Sequence, residues 1–196
     1  MRCAAVILAA GRSSRMGSNK LLEVLRGKPM LHHVLSAAEM SGARPLVLVA
    51  GHQAEAVTAV AAGFPVEVVL NPRFAEGLST SLRAGIAALP GDVEAAVVLL
   101  GDMPDITPGL IDRPVAALAE RPDAIAAVPS LDGAWGNPVV LSRALFEEVA
   151  RLSGDAGARK LLEGRAERVV VVPVDDAAVA LDLDTPEALA AAREKL

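Results

Sequence analysis

Cys3-Ala4-Ala5-Val6-Ile7-Leu8-Ala9 is apolar at every position and runs through Ala10 into Gly11, where the chain turns polar at Arg12-Ser13-Ser14-Arg15. A strand with one face in water alternates apolar and polar residues. A strand covered on both faces does not, so this run predicts a buried strand of a parallel sheet. Comparable apolar runs recur at 45–50, 66–70, 95–100, 124–129, 138–141 and 168–172. Stretches of helical character separate them, at 29–41, 53–62, 78–89, 108–120, 142–151, 155–163 and 185–195. Pro29 and Pro186 suit the first turn of a helix, and Thr185 with Glu187 suits a capped, acidic start. Strands alternating with helices pair in parallel through right-handed crossovers. The expected fold is therefore α/β, a three-layer sandwich with a mostly parallel, Rossmann-like sheet. No linker, repeat or charge block interrupts the pattern, so residues 1–196 read as a single domain.

A chain of this length buries a core without staples. Hydrophobic residues make up 53% of it but aromatic ones only 2% (Phe64, Phe74, Phe146 and Trp135), so the core is aliphatic. A protein that stacks nucleic-acid bases on aromatic platforms has almost nothing here to stack on. The net charge of −5 argues the same way, because a nucleic-acid binder presents a basic face. Cys3 is the sole cysteine; it reads as a small buried hydrophobe and leaves no disulfide within the chain. The apolar run at the start is too short to span a membrane and has the wrong sequel for a signal peptide. The expectation is a cytoplasmic protein with neither a nucleic-acid nor a membrane partner.

In an open sheet of this kind ligands sit beyond the carboxyl ends of the strands, so the stretches following the apolar runs carry the functional signal. The first is bracketed by Gly11 and Gly17, with Arg12, Ser13, Ser14 and Arg15 between them and Lys20 beyond. Glycines let backbone N–H groups approach phosphate oxygens, and Arg15 and Lys20 can neutralise a triphosphate. Five residues separate the two glycines and Leu21 follows Lys20, which excludes a Walker A loop; G-x-G-x-x-G is absent as well. A plain strand-to-helix turn with solvated charges is the competing interpretation.

Gly101-Asp102-Met103-Pro104 follows the run 95–100 directly. A carboxylate at the end of a buried strand is costly unless it is solvated, hydrogen-bonded or metal-bound. Mg²⁺ takes one or two carboxylates together with substrate phosphates, so Asp102 has a chemical role available; an Asx turn backed by Pro104 is the alternative. Asp182 and Asp184 fall on one side of the chain if 181–184 is extended. Further on from 66–70, Gly77 frees the backbone before Ser79, Thr80 and Ser81 crowd hydroxyls into the first turn of a helix. Such a turn suits a base edge or an anion, or simply caps the helix. Trp135 is the one large planar side chain that could stack on a flat ligand, and it could equally anchor a surface loop. Arg159 could hold a phosphate or pair with Asp155. His32 and His33 are neighbours on a helix and face different ways, so they cannot chelate as an i, i+4 pair.

The string L-A-A-G-x-S-x-R-M-G-x-x-K over 8–20 resembles the signature loop of the molybdopterin nucleotidyltransferases, within the sugar-nucleotide pyrophosphorylase-like superfamily. The resemblance extends in register from Val6 to Leu189 and is strongest to the molybdenum cofactor cytidylyltransferase branch, which shares Ala9-Ala10 and N-P-x-F-A-E-G-L-S-T-S-L-R over 71–83. It implies a nucleotide-diphospho-sugar transferase-like fold. It also implies Mg²⁺-dependent transfer of CMP from CTP to the terminal phosphate of molybdopterin cofactor, with a molybdoenzyme as a further partner. Nucleotide contacts would fall on Leu8, Ala9, Ala10, Gly11, Ser13, Arg15, Gly17 and Lys20. Gly77, Leu78 and Ser79 would meet the cytosine edge. Arg15, Lys20 and Asp102 would be catalytic, and the metal would lie between Asp102 and Asp184, with Asp182 as a substitute. Trp135, Gly136, Asn137 and Arg159 would line the acceptor side. A methyl-bearing surface at Ala9-Ala10 would suit a pyrimidine. The alternatives are a relative using GTP or a sugar or polyol phosphate, a non-catalytic molybdenum cofactor chaperone, and an oxidoreductase on the same scaffold.

Overall fold

The computed structural model describes residues 1–12 and 19–180. In chain order its strands are β1 (Cys3–Ala9), β2 (Val24–Leu25), β3 (Lys28–Pro29), β4 (Leu46–Ala50), β5 (Val66–Leu70), β6 (Ala95–Leu100), β7 (Ala126–Leu131), β8 (Ala134–Trp135), β9 (Val139–Ser142) and β10 (Val169–Pro173). The α-helices are α1 (Met30–Met40), α2 (Ala54–Ala61), α3 (Leu78–Ala87), α4 (Pro108–Ala119) and α5 (Phe146–Val149). The main sheet runs β10-β7-β9-β6-β1-β4-β5, with β8 hairpinned onto β7. β1 lies between β6 and β4, all parallel, and β7 pairs in parallel with β10. Two strands depart from this. β9 runs antiparallel between β6 and β7, and the short β8 is antiparallel to β7, so the sheet is mostly rather than wholly parallel.

The alternation of β1 about the sheet plane explains why every one of its residues is apolar. Ala5, Ile7 and Ala9 join a core with Leu31, Val34 and Leu35 of α1, Val57 of α2 and Ile111 of α4. Val6 and Leu8 point the other way, into a core with Leu82 and Ile86 of α3, Val149 of α5, and Leu161 and Leu162. Helices thus cover both faces, giving the three layers expected. Cys3 is buried as anticipated, and that burial pushes its thiol pKa up to about 12. Among the described residues no helix is long and apolar enough to cross a membrane.

Three local expectations need correction. The stretch 142–151 is a 3-10 turn, Arg143–Leu145, followed by the single turn of α5. The stretch 155–163 is a 3-10 segment, Ala158–Leu162, flanked by Gly154 and Gly164 at positive φ. The pattern also concealed the β2–β3 hairpin. Arg26 and Gly27 both adopt positive φ at its two-residue tip, the backbone that such a tight hairpin requires. Pro29 consequently ends β3 and caps α1 instead of opening its first turn. The expected helix at 185–195 lies outside the described residues.

Candidate nucleotide and metal site

Because β1, β4, β5 and β6 are parallel, they end at one edge of the sheet, and the segments leaving them converge there. Gly101 at the end of β6 donates its N–H to the carbonyl of Leu8 at 3.0 Å, locking the turn that carries Asp102 against the end of β1. Lys20 reaches the same point from the other side. The Oδ1 of Asn19 accepts from the N–H of Leu21 at 3.2 Å and caps the short 3-10 turn Lys20–Leu22. Lys20 Nζ then stands 2.6 Å from Asp102 Oδ2, with the two side chains only 11% and 19% exposed. The fold therefore joins two residues to which the resemblance assigns opposite partners, phosphate and metal. Asn19 is itself buried, and its Nδ2 has no hydrogen-bond partner. Ser13, Arg15, Gly17, Asp182 and Asp184 lie outside the described residues.

On the nucleotide side, Leu8, Ala9 and Ala10 are buried, and the methyls of Ala9 and Ala10 enter the two cores on opposite faces of the sheet. They do not form a methyl-bearing wall for a pyrimidine, so whatever these residues offer a ligand comes from their backbone. The reason is the sheet's alternation, which turns consecutive side chains away from the strand axis and into the cores. Gly11 and Arg12 are exposed, and the Arg12 guanidinium rests 5.3 Å over the ring of Phe74.

The turn at 71–81 is held by Asn71. Its buried Nδ2 donates to Thr80 Oγ1 at 2.8 Å and Ser81 Oγ at 3.0 Å, while its Oδ1 accepts from the N–H of Arg73. Gly77 sits at φ +114°, and the loop at 154–155 lies directly against it. A Cβ there would come within 2.3 Å of the Gly154 carbonyl. The N–H of Ser79 donates to that same carbonyl at 3.1 Å, and the buried Ser79 Oγ has no partner. Leu78 remains exposed. Gly77→Ala is expected to lower unfolding stability by about 1–3 kcal/mol, combining overpacking with an unfavourable φ. Urea denaturation measures that loss, and the nucleotide KM should rise with it.

Among the residues expected to line an acceptor, Trp135 lies in β8 opposite Ser130 and is half-buried against the α3-side core, so part of its ring serves as a loop anchor. Gly136 is present for close packing: a Cβ would lie 2.7 Å from the carbonyl oxygen of Val179. The N–H of Asn137 donates to that carbonyl at 2.8 Å. These two residues thus anchor the chain shortly before Asp182 and Asp184. Arg159 is exposed on its 3-10 turn.

The histidines behave as expected. His33 Nε2 donates to the carbonyl of Leu25 at 2.7 Å, while the His32 ring packs edge-on to Phe64. His52, in the loop after β4, donates its N–H to the Ala10 carbonyl, and its ring lies 6.0 Å from Phe74. The sequence placed Asn71 and Gly154 at the heads of motif-like stretches and His52 just past a strand, but gave none of the three a contact; their partners become visible only in the fold.

Residues 5–171 match the family model described as the MobA-like NTP transferase domain. The chain belongs to that family. Among curated relatives, nicotine blue oxidoreductase of Paenarthrobacter nicotinovorans is 33% identical over 190 residues, covering 93% of this chain and 92% of that one. A 2-C-methyl-D-erythritol 4-phosphate cytidylyltransferase of Cereibacter sphaeroides is 36% identical over 69% of this chain, which spans 62% of that protein's length. Among solved structures, Rv0371c of Mycobacterium tuberculosis superposes with a TM-score of 0.87 at 31% identity, covering 100% of this chain and 99% of that one. The same protein has also been solved in complex with manganese. The nucleotidyltransferase fold and family are thereby established.

Proposed function

We propose that this chain transfers CMP from CTP to the terminal phosphate of molybdopterin in a Mg²⁺-dependent reaction, forming molybdopterin cytosine dinucleotide and pyrophosphate. The observation that carries a transfer reaction at this edge is the 2.6 Å approach of Lys20 to Asp102, a cation and a hard oxygen donor within reach of one ligand. The choice of CTP is supported by the cytidylyltransferase-like stretch 71–83 and by likeness to a curated cytidylyltransferase. The choice of molybdopterin rests on the resemblance of the 8–20 loop.

Asp102 suits Mg²⁺. Its carboxylate is half-buried at a strand end, and among the described residues no group of three or more His, Cys, Asp and Glu forms a closed cage. Such a site fits an ion that takes one or two carboxylates and completes its shell with phosphate oxygens and water. When bound, the metal supplies charge neutralisation at the triphosphate. Asp102 would hold it, with Asp184 as the second carboxylate.

The acceptor's phosphate oxygen attacks the α-phosphorus of CTP. The new O–P bond forms as the bond to the bridging α,β-oxygen breaks, and pyrophosphate leaves with that electron pair. The nucleophile is already an anion, so no residue has to remove a proton. Lys20 and Arg15 bind and neutralise the phosphates, and the N–H groups of the 8–17 loop orient them. With nucleotide bound, Lys20 would leave Asp102 for phosphate, freeing the carboxylate to hold the metal.

The test is pyrophosphate release from CTP, GTP, ATP and UTP, each with and without molybdopterin. Release that needs CTP and molybdopterin together is the expected result. Release with GTP, or with a sugar or polyol phosphate as acceptor, reassigns the substrates but keeps the chemistry. Molybdopterin binding without release points to a cofactor chaperone. A second reading has a specific observation behind it, the 33% identity to an oxidoreductase over nearly the whole chain. NAD(P)H oxidation in the absence of pyrophosphate release would favour it.

A further inference from the structure

The β2–β3 hairpin leaves the Lys20 segment and reaches across to the turn that carries Asp102. It is tied down along its length: the N–H of Met30 donates to the Glu23 carbonyl at 2.9 Å, and His33 of α1 holds the Leu25 carbonyl. At its tip Arg26 adopts φ +50°, and its guanidinium reaches residues just past Asp102. One nitrogen, Nη2, donates to the Pro104 carbonyl at 3.2 Å and stands 2.9 Å from Asp105 Oδ1. Arg26 and Asp105 are about a third exposed, so their ion pair adds little to global stability. What the arrangement does add is a restraint, because one guanidinium nitrogen held between two acceptors of the same turn limits how the 101–105 turn can rotate.

We propose that Arg26 is a positioning residue that clamps the Asp102 turn to the segment carrying Lys20 and so sets the metal affinity of Asp102. The inference rests on Asp102 being the metal ligand, as argued above. In the resting site the two segments are joined twice, through Lys20–Asp102 and through Arg26 to Pro104 and Asp105. Once Lys20 turns to phosphate and Asp102 to metal, the first link is gone and the Arg26 link persists. The turn then keeps its orientation at the moment its carboxylate needs it.

The test uses Mn²⁺ as probe and reads its binding to the full chain by electron paramagnetic resonance, without nucleotide. Arg26→Ala is expected to weaken Mn²⁺ binding about tenfold, the usual effect of removing a residue that orients a ligand. Arg26→Lys should recover part of that loss, since an ammonium also presents several donors from one nitrogen but on a shorter, more flexible stem. Asp105→Asn should weaken binding in the same direction and be non-additive with Arg26→Ala; it also serves if Arg26→Ala fails to fold. Thermal unfolding should barely move. In turnover, kcat should fall and the metal requirement rise, with little change in the nucleotide KM. Wild-type Mn²⁺ affinity in both variants overturns the proposal, as does a wild-type chain that binds no Mn²⁺. Should the wild type bind Mn²⁺ but release no pyrophosphate from any nucleotide, weaker Mn²⁺ binding in Arg26→Ala still supports the clamp while the transferase reading falls.

Discussion

Asp102→Ala is expected to reduce pyrophosphate release by about a thousandfold, the upper range for loss of one preorganised electrostatic group. The turn it leaves behind keeps its main-chain support, because Gly101 still donates to Leu8 and Met103 to Leu100. The β6 core beneath is also untouched, with Val97 and Leu99 packed on the sheet face away from α3. A folded but inactive protein is therefore the specific outcome, checked by circular dichroism and thermal unfolding alongside the activity assay. Near-normal CTP-dependent release by this variant would remove Asp102 from the chemistry. Asp102→Asn separates charge from shape, and it should be almost as damaging because a neutral amide is a poor ligand for a hard divalent cation.

Lys20→Ala should lower kcat/KM for the nucleotide about a hundredfold, the scale expected when one charge-neutralising contact is lost from a site shielded from water. The division between constants is informative. A contact that tightens in the transition state lowers kcat, whereas one that only helps dock the triphosphate raises KM. Since Lys20 is 11% exposed and lodged against Asp102, the longer, planar guanidinium of Lys20→Arg should restore charge without restoring position. Steady-state kinetics on both variants makes the comparison, and an unchanged kcat/KM in Lys20→Ala would exclude the phosphate role. Lys20 and Asp102 are in contact, so their double variant should not be additive, unlike pairs of distant residues.

Most strands were legible because burial on both faces leaves a plain mark. The runs at 3–9, 45–50, 66–70, 95–100 and 168–172 became strands to within a residue at either end. Around 142–163 helical character became 3-10 turns and the single turn of α5, with the positive-φ Gly154 and Gly164 flanking only the second part, 155–163. β9 looked like any other buried strand, because a residue's apolarity does not say which direction its strand runs. In the site, Lys20, Asp102 and Gly77 stood out through their place beyond strand ends. Arg26 did not, since a lone arginine before a glycine looks like any exposed turn.

The sequence by itself determined the layers, the edge at which ligands must gather, and the kinds of residue available there, because side-chain period and glycine placement are local properties. The glycine-rich stretch that follows Cys3–Ala9 read as a candidate phosphate loop, and it falls within the span that matches the NTP transferase family. Only the tertiary structure decided which segments meet. It brought Lys20 to Asp102, laid Gly154 on Gly77, and turned the methyls of Ala9 and Ala10 into the cores. The physical reason is that such contacts depend on strand order and on which face a side chain takes. Both are settled by how distant parts of the chain pack together.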